Sequence, residues 1–197
     1  MKKITLIYIS FLLSSGCHSF VYCESIDAEV MRSIHTKRNT NYDELMKGIS
    51  NSSYIILPAI PIGLFANYKI CDCEDKLYNS INIGSAIIVT GAVSLLLKEI
   101  IKQPRPYEVY DFVDNIGKER GYSMPSMHTS TAFSLATSLT LIEPKWYVII
   151  PSYLWATAVA YSRIHLGVHT LSDVIIGSVV GAGISIGTNA IVKQMVK

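Results

Sequence analysis

Residues 174–192 read VIIGSVVGAGISIGTNAIV, a run without a single Asp, Glu, Lys or Arg. As a helix rising about 1.5 Å per residue, such a run matches the hydrocarbon thickness of a bilayer. Gly177/Gly181 and Gly183/Gly187 recur at four-residue spacing, which lets helices approach closely in a membrane. Working back along the chain, residues 4–23, 48–68, 77–97, 121–142 and 146–162 lack the same charged types over comparable lengths. The run from 121 begins with a loop, because Pro125 and His128 lie early in it. Glu143, Pro144 and Lys145 alone separate it from the next run, which predicts a tight helical hairpin. Half of the 197 residues are hydrophobic and only 16% are charged, against about 25% in soluble domains. That balance excludes a disordered chain, a solvated coiled coil and a basic nucleic-acid-binding module. Four cysteines are too few for a disulfide scaffold. The expected fold is all-α: a polytopic membrane bundle of about six helices.

The first run has two readings. Lys2 and Lys3 ahead of an apolar stretch suit a secretory signal, with Val21 and Cys23 near a cleavage point, and equally suit an uncleaved helix. The chain therefore divides into residues 1–23, signal peptide or first membrane helix, and residues 24–197, a helical membrane domain. Either way residues 24–47 fall outside the cytoplasm, where Ile26, Val30, Met31 and Ile34 at helical spacing predict a short interfacial helix. Counting alternate sides puts residues 98–128 and 163–173 on that same outer face. Lys and Arg are heavier outside than inside on this map, against the usual bias; Lys98, Arg105 and Arg163 have a reason to be there.

These three belong to polar clusters that close the apolar runs: Lys98 followed by Arg105-Pro106, then Pro125-Ser126-Met127-His128, then Ser162-Arg163 with His169 and Asp173. Ionisable groups at membrane depth are expensive and mark function by default. Their chemistry converges on a phosphate. Three cations suit its oxygens, the arginines bidentately. Ser126 is placed to cap a helix whose free N–H groups favour an anion. Two histidines supply a nucleophile and a proton donor. Asp173, four residues after His169, can fix its tautomer. No cluster here requires a metal or another cofactor, and the set suits phosphoryl transfer through a phosphohistidine.

Lys98-x6-Arg105-Pro106, Pro125-Ser126-x-His128 and Ser162-Arg163-x5-His169-x3-Asp173 resemble the three-part signature of the type 2 phosphatidic acid phosphatase superfamily, membrane lipid phosphatase branch. The resemblance implies that His169 attacks phosphorus, Asp173 orients it and His128 protonates the leaving oxygen. It implies that Lys98, Arg105, Ser126, Arg163 and the backbone at Met127 hold the phosphate. Met127 is a departure, since the family usually has Gly there. A Cβ costs little in a helical backbone and about 1–2 kcal/mol at positive φ. The implied activity is metal-independent dephosphorylation of a lipid: undecaprenyl diphosphate, phosphatidylglycerophosphate, phosphatidic acid or lipid A. The implied place is the bacterial inner membrane, with the site facing the periplasm.

Other readings remain open at this stage: a lipid phosphotransferase, a relative of soluble acid phosphatases or haloperoxidases, and a non-catalytic lipid-phosphate binder. The long apolar runs oppose a soluble enzyme, and retention of both histidines with Asp173 opposes a mere binder. His165 occupies no signature position and reads as a packed histidine, as do His18 and His35. Cys71-x-Cys73 is a poor zinc site, and a reducing cytoplasm argues against a bridge there. The sequence carries no code for the lipid or for the oligomeric state.

Overall fold

The structure, a computed structural model, describes residues 26–195. The first apolar run, with His18, Cys17 and Cys23, lies outside the described residues. Residues 26–35 form helix α1, and a 3₁₀ turn at Thr40–Tyr42 leads into α2 (Asp43–Cys71). Then come α3 (Glu74–Ile101), the short α4 (Pro106–Val109), α5 (Met127–Ile142), α6 (Trp146–His165) and α7 (Leu171–Met195). No strand occurs among the described residues. Three segments are long and apolar enough to cross a membrane by length and composition: Thr40–Cys71, Glu74–Val109 and Leu171–Met195.

Large apolar side chains point outward all round, among them Ile55, Ile62, Ile88, Ile100, Leu154, Val179 and Ile191. Small and hydroxylated ones point inward, the reverse of a water-soluble bundle and the arrangement that lipid favours. The centre is α5, which packs against α3, α6 and α7. It has only 16 residues and a buried Thr129-Ser130-Thr131-Ala132 start, so its role is to be enclosed by longer helices. Gly181 makes that enclosure tight: a Cβ there would run into the Ser130 carbonyl, and one on Gly177 would lie 2.9 Å from the Ser126 oxygen. Ser138 and Ser185 join hydroxyls at 2.5 Å farther along the same seam. Gly183 and Gly187, by contrast, face open space, so only the first glycine pair makes a close crossing.

Short connections force neighbouring helices to run antiparallel. Asp72, left-handed at φ 53°, ends α2 and turns the chain into α3. It brings the Cα atoms of Cys71 and Cys73 to 5.3 Å, and the two are disulfide-bonded. This corrects the reading of free thiols: the tight turn places the sulfurs within bridging range regardless of compartment. The Glu143–Lys145 hairpin forms as expected between α5 and α6. Lys102, again left-handed, stops α3, and Pro104 prevents its continuation.

Helix α1 docks across the end of the bundle where α6 stops and α7 begins. Asp27, buried, accepts hydrogen bonds from the Ser172 amide at 2.8 Å and from its hydroxyl at 2.5 Å, capping the first turn of α7 from outside. His35 Nε2 donates to the Ile164 carbonyl at 3.0 Å, near the end of α6. Between them Met31 fills an apolar cluster with Val113, Ile164 and Val174. The anticipated interfacial helix is thus a brace over the α6–α7 connection. Its neighbour His165 pairs with Asp43 at 2.9 Å, as a packed histidine should.

Two expectations follow from this packing. Gly181→Ala should destabilise the bundle by about 1–3 kcal/mol through overpacking, while Gly187→Ala should be neutral or stabilising by helix propensity; thermal unfolding in detergent compares them. Asp27→Ala should cost about 1 kcal/mol as a lost cap, and Asp27→Asn, which keeps an acceptor, less; the same melting assay reads both.

Candidate active site

All three clusters meet at the end of the bundle covered by α1. Lys98 lies in the last turn of α3 and reaches across to the strand of loop that precedes α5. Its Nζ donates to the carbonyls of Tyr122 at 2.8 Å and Ser123 at 2.7 Å. The Ser123 amide donates back to the Gln103 carbonyl at 2.8 Å, just past the end of α3. Arg105 caps α4, where its amide donates to the Glu108 carboxylate at 3.0 Å. Its guanidinium is only 3% exposed and ties the loops together. Nε donates to the Gly121 carbonyl at 2.9 Å, Nη2 to Arg120 at 3.0 Å and Nη1 to Val168 at 2.9 Å.

The third cluster owes its shape to a helix start. Thr170 and Asp173 form a reciprocal cap on α7: the Thr170 amide donates to Asp173 Oδ2 at 2.9 Å, and the Asp173 amide faces Thr170 Oγ1 at 3.4 Å. That cap fixes the carboxylate where His169 Nδ1 meets Oδ2 at 3.3 Å. Ser123 donates to the same oxygen in a short hydrogen bond. On the other edge of the ring, Nε2 lies 3.4 Å from Arg105 Nη1. A carboxylate on one nitrogen and a guanidinium on the other satisfy only one neutral tautomer: Nδ1 carries the proton and Nε2 the lone pair. Burial pushes the His169 pKa down to about 4 against the pull of Asp173, so the ring is neutral near pH 7. Gly167 makes the preceding turn possible, with φ at 72° and no room for a Cβ, which would run into the Asp114 carbonyl.

The second cluster reaches the same place through the backbone. The Ser126 amide donates to the Asp173 carbonyl at 3.1 Å. Ser126 stands at the N-cap of α5, yet its side chain caps no amide; its Oγ accepts from the Thr129 hydroxyl at 3.0 Å instead. This departs from the expected side-chain cap. Met127 is the first residue of α5. Among the described non-glycine residues positive φ is confined to Asp72, Lys102 and Lys118, so the side chain at 127 carries no backbone strain. His128 is buried in the first turn, its Nε2 3.1 Å from the Tyr54 hydroxyl and its ring edge-on to that tyrosine.

Arg163, also 3% exposed, lies in the last turn of α6. Its Nη1 donates to Ser50 Oγ of α2 at 2.6 Å and its Nη2 to Glu119 Oε1 at 2.8 Å, while Nε has no partner. Glu119 Oε2 lies 3.8 Å from Arg105 Nη2, so one carboxylate spans both guanidiniums. Burial alone would raise the Glu119 pKa, but Arg163, followed by His128 and Arg105, outweighs it and holds the carboxyl below its usual range. Ser50, Tyr54, Glu119 and Ser123 were not singled out in the sequence. Nothing distinguishes them there: each lies in a run or loop whose partners are set only by packing. Among the described residues no group of three or more His, Cys, Asp or Glu is placed to hold a metal.

The chain is similar to known proteins. It is 34% identical over 111 residues to an undecaprenyl-diphosphatase of Sulfolobus acidocaldarius, covering 52% of each chain. Over 162 residues it is 26% identical to a lipid A 1-phosphatase of Rhizobium etli, covering 74% of this chain and 68% of that one. It spans about half the length of the Sulfolobus relative and of a Bacteroides thetaiotaomicron lipid A 4'-phosphatase, to which it is 31% identical over 50% of this chain and 48% of the other. Its fold matches the crystal structure of LpxE from Aquifex aeolicus with a TM-score of 0.68 at 27% identity, covering 82% and 93% of the two chains. It also matches a transmembrane PAP2-type phosphatidylglycerolphosphate phosphatase from Bacillus subtilis with a TM-score of 0.73 at 24% identity, covering 98% and 96%. Residues 79–196, more than half of the chain and all three polar clusters, match the PAP2 superfamily, and the chain belongs to it.

Proposed function

We propose that this protein removes phosphate from a phosphorylated membrane lipid through a phosphohistidine formed on His169. The observation that carries the reading is the His169 ring held between Asp173 and Arg105, its Nε2 lone pair turned toward buried cations. A neutral imidazole so oriented is a nucleophile already in its reactive tautomer.

In the first step Nε2 forms a bond to phosphorus as the lipid oxygen–phosphorus bond breaks. His128 gives its proton to the departing oxygen, and Asp173 stabilises the charge that develops on His169. Arg163, Lys98, Arg105 and the amides at the start of α5 face the phosphoryl oxygens, where fixed donors in a water-poor site stabilise the transition state. In the second step a water oxygen bonds to phosphorus as the phosphorus–nitrogen bond breaks, His128 takes the water's proton, and inorganic phosphate is released with His169 neutral again. The roles of the three cations, Ser126 and Met127 belong to this proposal. So does the hydrolysis of undecaprenyl diphosphate, phosphatidylglycerophosphate, phosphatidic acid or lipid A, which the names of the relatives support as a class. The place proposed is the bacterial inner membrane, multi-pass, with the site on the periplasmic face and no metal in the reaction.

His169→Ala should lower phosphate release from these four lipids at least a thousandfold while the helical circular dichroism and melting temperature stay near those of the parent. Normal release by that variant would refute the mechanism. A second expectation concerns protonation: in a titration of the ¹⁵N-histidine-labelled protein, His169 should take up its proton near pH 4, well below a solvent-exposed histidine. A transition near 6.5 would mean that the ring is not held neutral by burial.

A further inference from the structure

Between Arg105 and Arg163 the resting site already holds an anion. Glu119 Oε1 is 2.8 Å from Arg163 Nη2 and Oε2 is 3.8 Å from Arg105 Nη2. We propose that Glu119 is a displaceable stand-in for the substrate phosphate, occupying the arginine cradle when it is empty and competing with phosphate for it. The inference rests on the reading of these arginines as phosphate ligands and adds to it a residue that sets their affinity.

Three features of the geometry point this way. First, the carboxylate fills the cradle incompletely. The Nε–Nη2 edge of a guanidinium is the one that takes two oxygens at once, yet Glu119 accepts only from Nη2, and Nε of this buried side chain has no partner. A tetrahedral phosphate presenting two oxygens would satisfy both donors.

Second, like-charge repulsion in the pocket opposes joint occupancy. The substrate phosphate is a dianion drawn to Lys98, Arg105 and Arg163. With Glu119 retained, that dianion would sit beside a second anion between the same two guanidiniums, in a site where water screens little.

Third, Glu119 is built to leave. Its backbone is anchored, the carbonyl accepting from the Tyr107 hydroxyl at 2.8 Å and from Asn115 Nδ2 at 3.2 Å. Its side chain is 30% exposed, while those of both arginines are 3% exposed. The carboxylate can therefore rotate into solvent with the loop and the cations still in place. Held in, it keeps the guanidiniums ordered and paired between turnovers; swinging back, it helps expel inorganic phosphate at the end of one.

The alternative role is positional, with Glu119 staying put to orient Arg163 for the substrate, and the two roles predict opposite signs. Equilibrium binding of inorganic phosphate and of orthovanadate to the detergent-solubilised full chain, measured by calorimetry, separates them without needing turnover. Glu119→Gln should bind both anions roughly tenfold more tightly than the parent, as one competing charge is removed, and Glu119→Asp should return toward parental affinity because the charge is restored. In a lipid phosphatase assay the Gln variant should also show stronger inhibition by phosphate. Equal or weaker anion binding by Glu119→Gln, with Glu119→Asp behaving as the parent, would overturn the proposal and make Glu119 a positioning residue. Should the parent release no phosphate from any lipid while Glu119→Gln still binds phosphate more tightly, the enzymatic reading would fall and the displaceable anion would stand.

Discussion

Two guanidinium groups buried at one end of a helical bundle govern the organisation of everything around them. A charge removed from water is tolerated only when it is paired and hydrogen-bonded on nearly every side. Arg105 meets that demand with the carbonyls of Arg120, Gly121 and Val168, and in doing so fastens the loop before α5 to the loop before α7. Arg163 meets it with Ser50 on α2 and Glu119 on the loop. Segments far apart in the chain are held together because each supplies an acceptor that these cations require. The site is thus assembled by the same interactions that make its charges affordable, and it is difficult to alter one without loosening the other.

The close seam between α5 and α7 supplies the second constraint. Gly177 and Gly181 let the backbones touch at Ser126 and Ser130, and that contact sets the Ser126 amide on the Asp173 carbonyl. Two of the three motif clusters are therefore joined through main chain alone, with no side-chain freedom between them. A bulkier seam would move the start of α5, and with it His128, away from the start of α7. The short, hydroxyl-rich α5 is suited to this place: it has too little apolar surface to face lipid over its whole circumference and no need to do so.

Much of this was legible in the sequence because periodic and local rules govern it. Charge-free runs gave the long helices, Glu143-Pro144-Lys145 the hairpin, and the spacing of His169 and Asp173 their contact, which the structure makes at the start of α7 rather than across a completed turn. Other features depend on packing that no local pattern encodes. Gly183 and Gly187 have the same spacing as Gly177 and Gly181, yet they lie on another arc of α7 and meet nothing. Ser126 has the chemistry of a cap, but the Thr129 hydroxyl occupies its oxygen. A reducing compartment argues against a bridge between Cys71 and Cys73, yet the left-handed residue between them brings the two together. Glu119 sits between Lys118 and Arg120, where a charged loop residue ordinarily signifies only solvation; its partners are 14 and 44 residues away.

The capping of α7 shows how stability and reactivity are linked in this fold. A single oxygen, Asp173 Oδ2, receives the Thr170 amide, the Ser123 hydroxyl and the His169 ring. The first of these begins a helix and the last selects a tautomer. Because the helix start is in turn capped by Asp27 from α1, the orientation of His169 depends on a segment well outside the three motifs. A residue that were merely a hydrogen-bond partner of the imidazole would be free to follow the ring; one that also terminates a helix cannot. On the proposed mechanism the ring is consequently aligned before substrate arrives, and the reorganisation that the same reaction in water would require has been completed during folding.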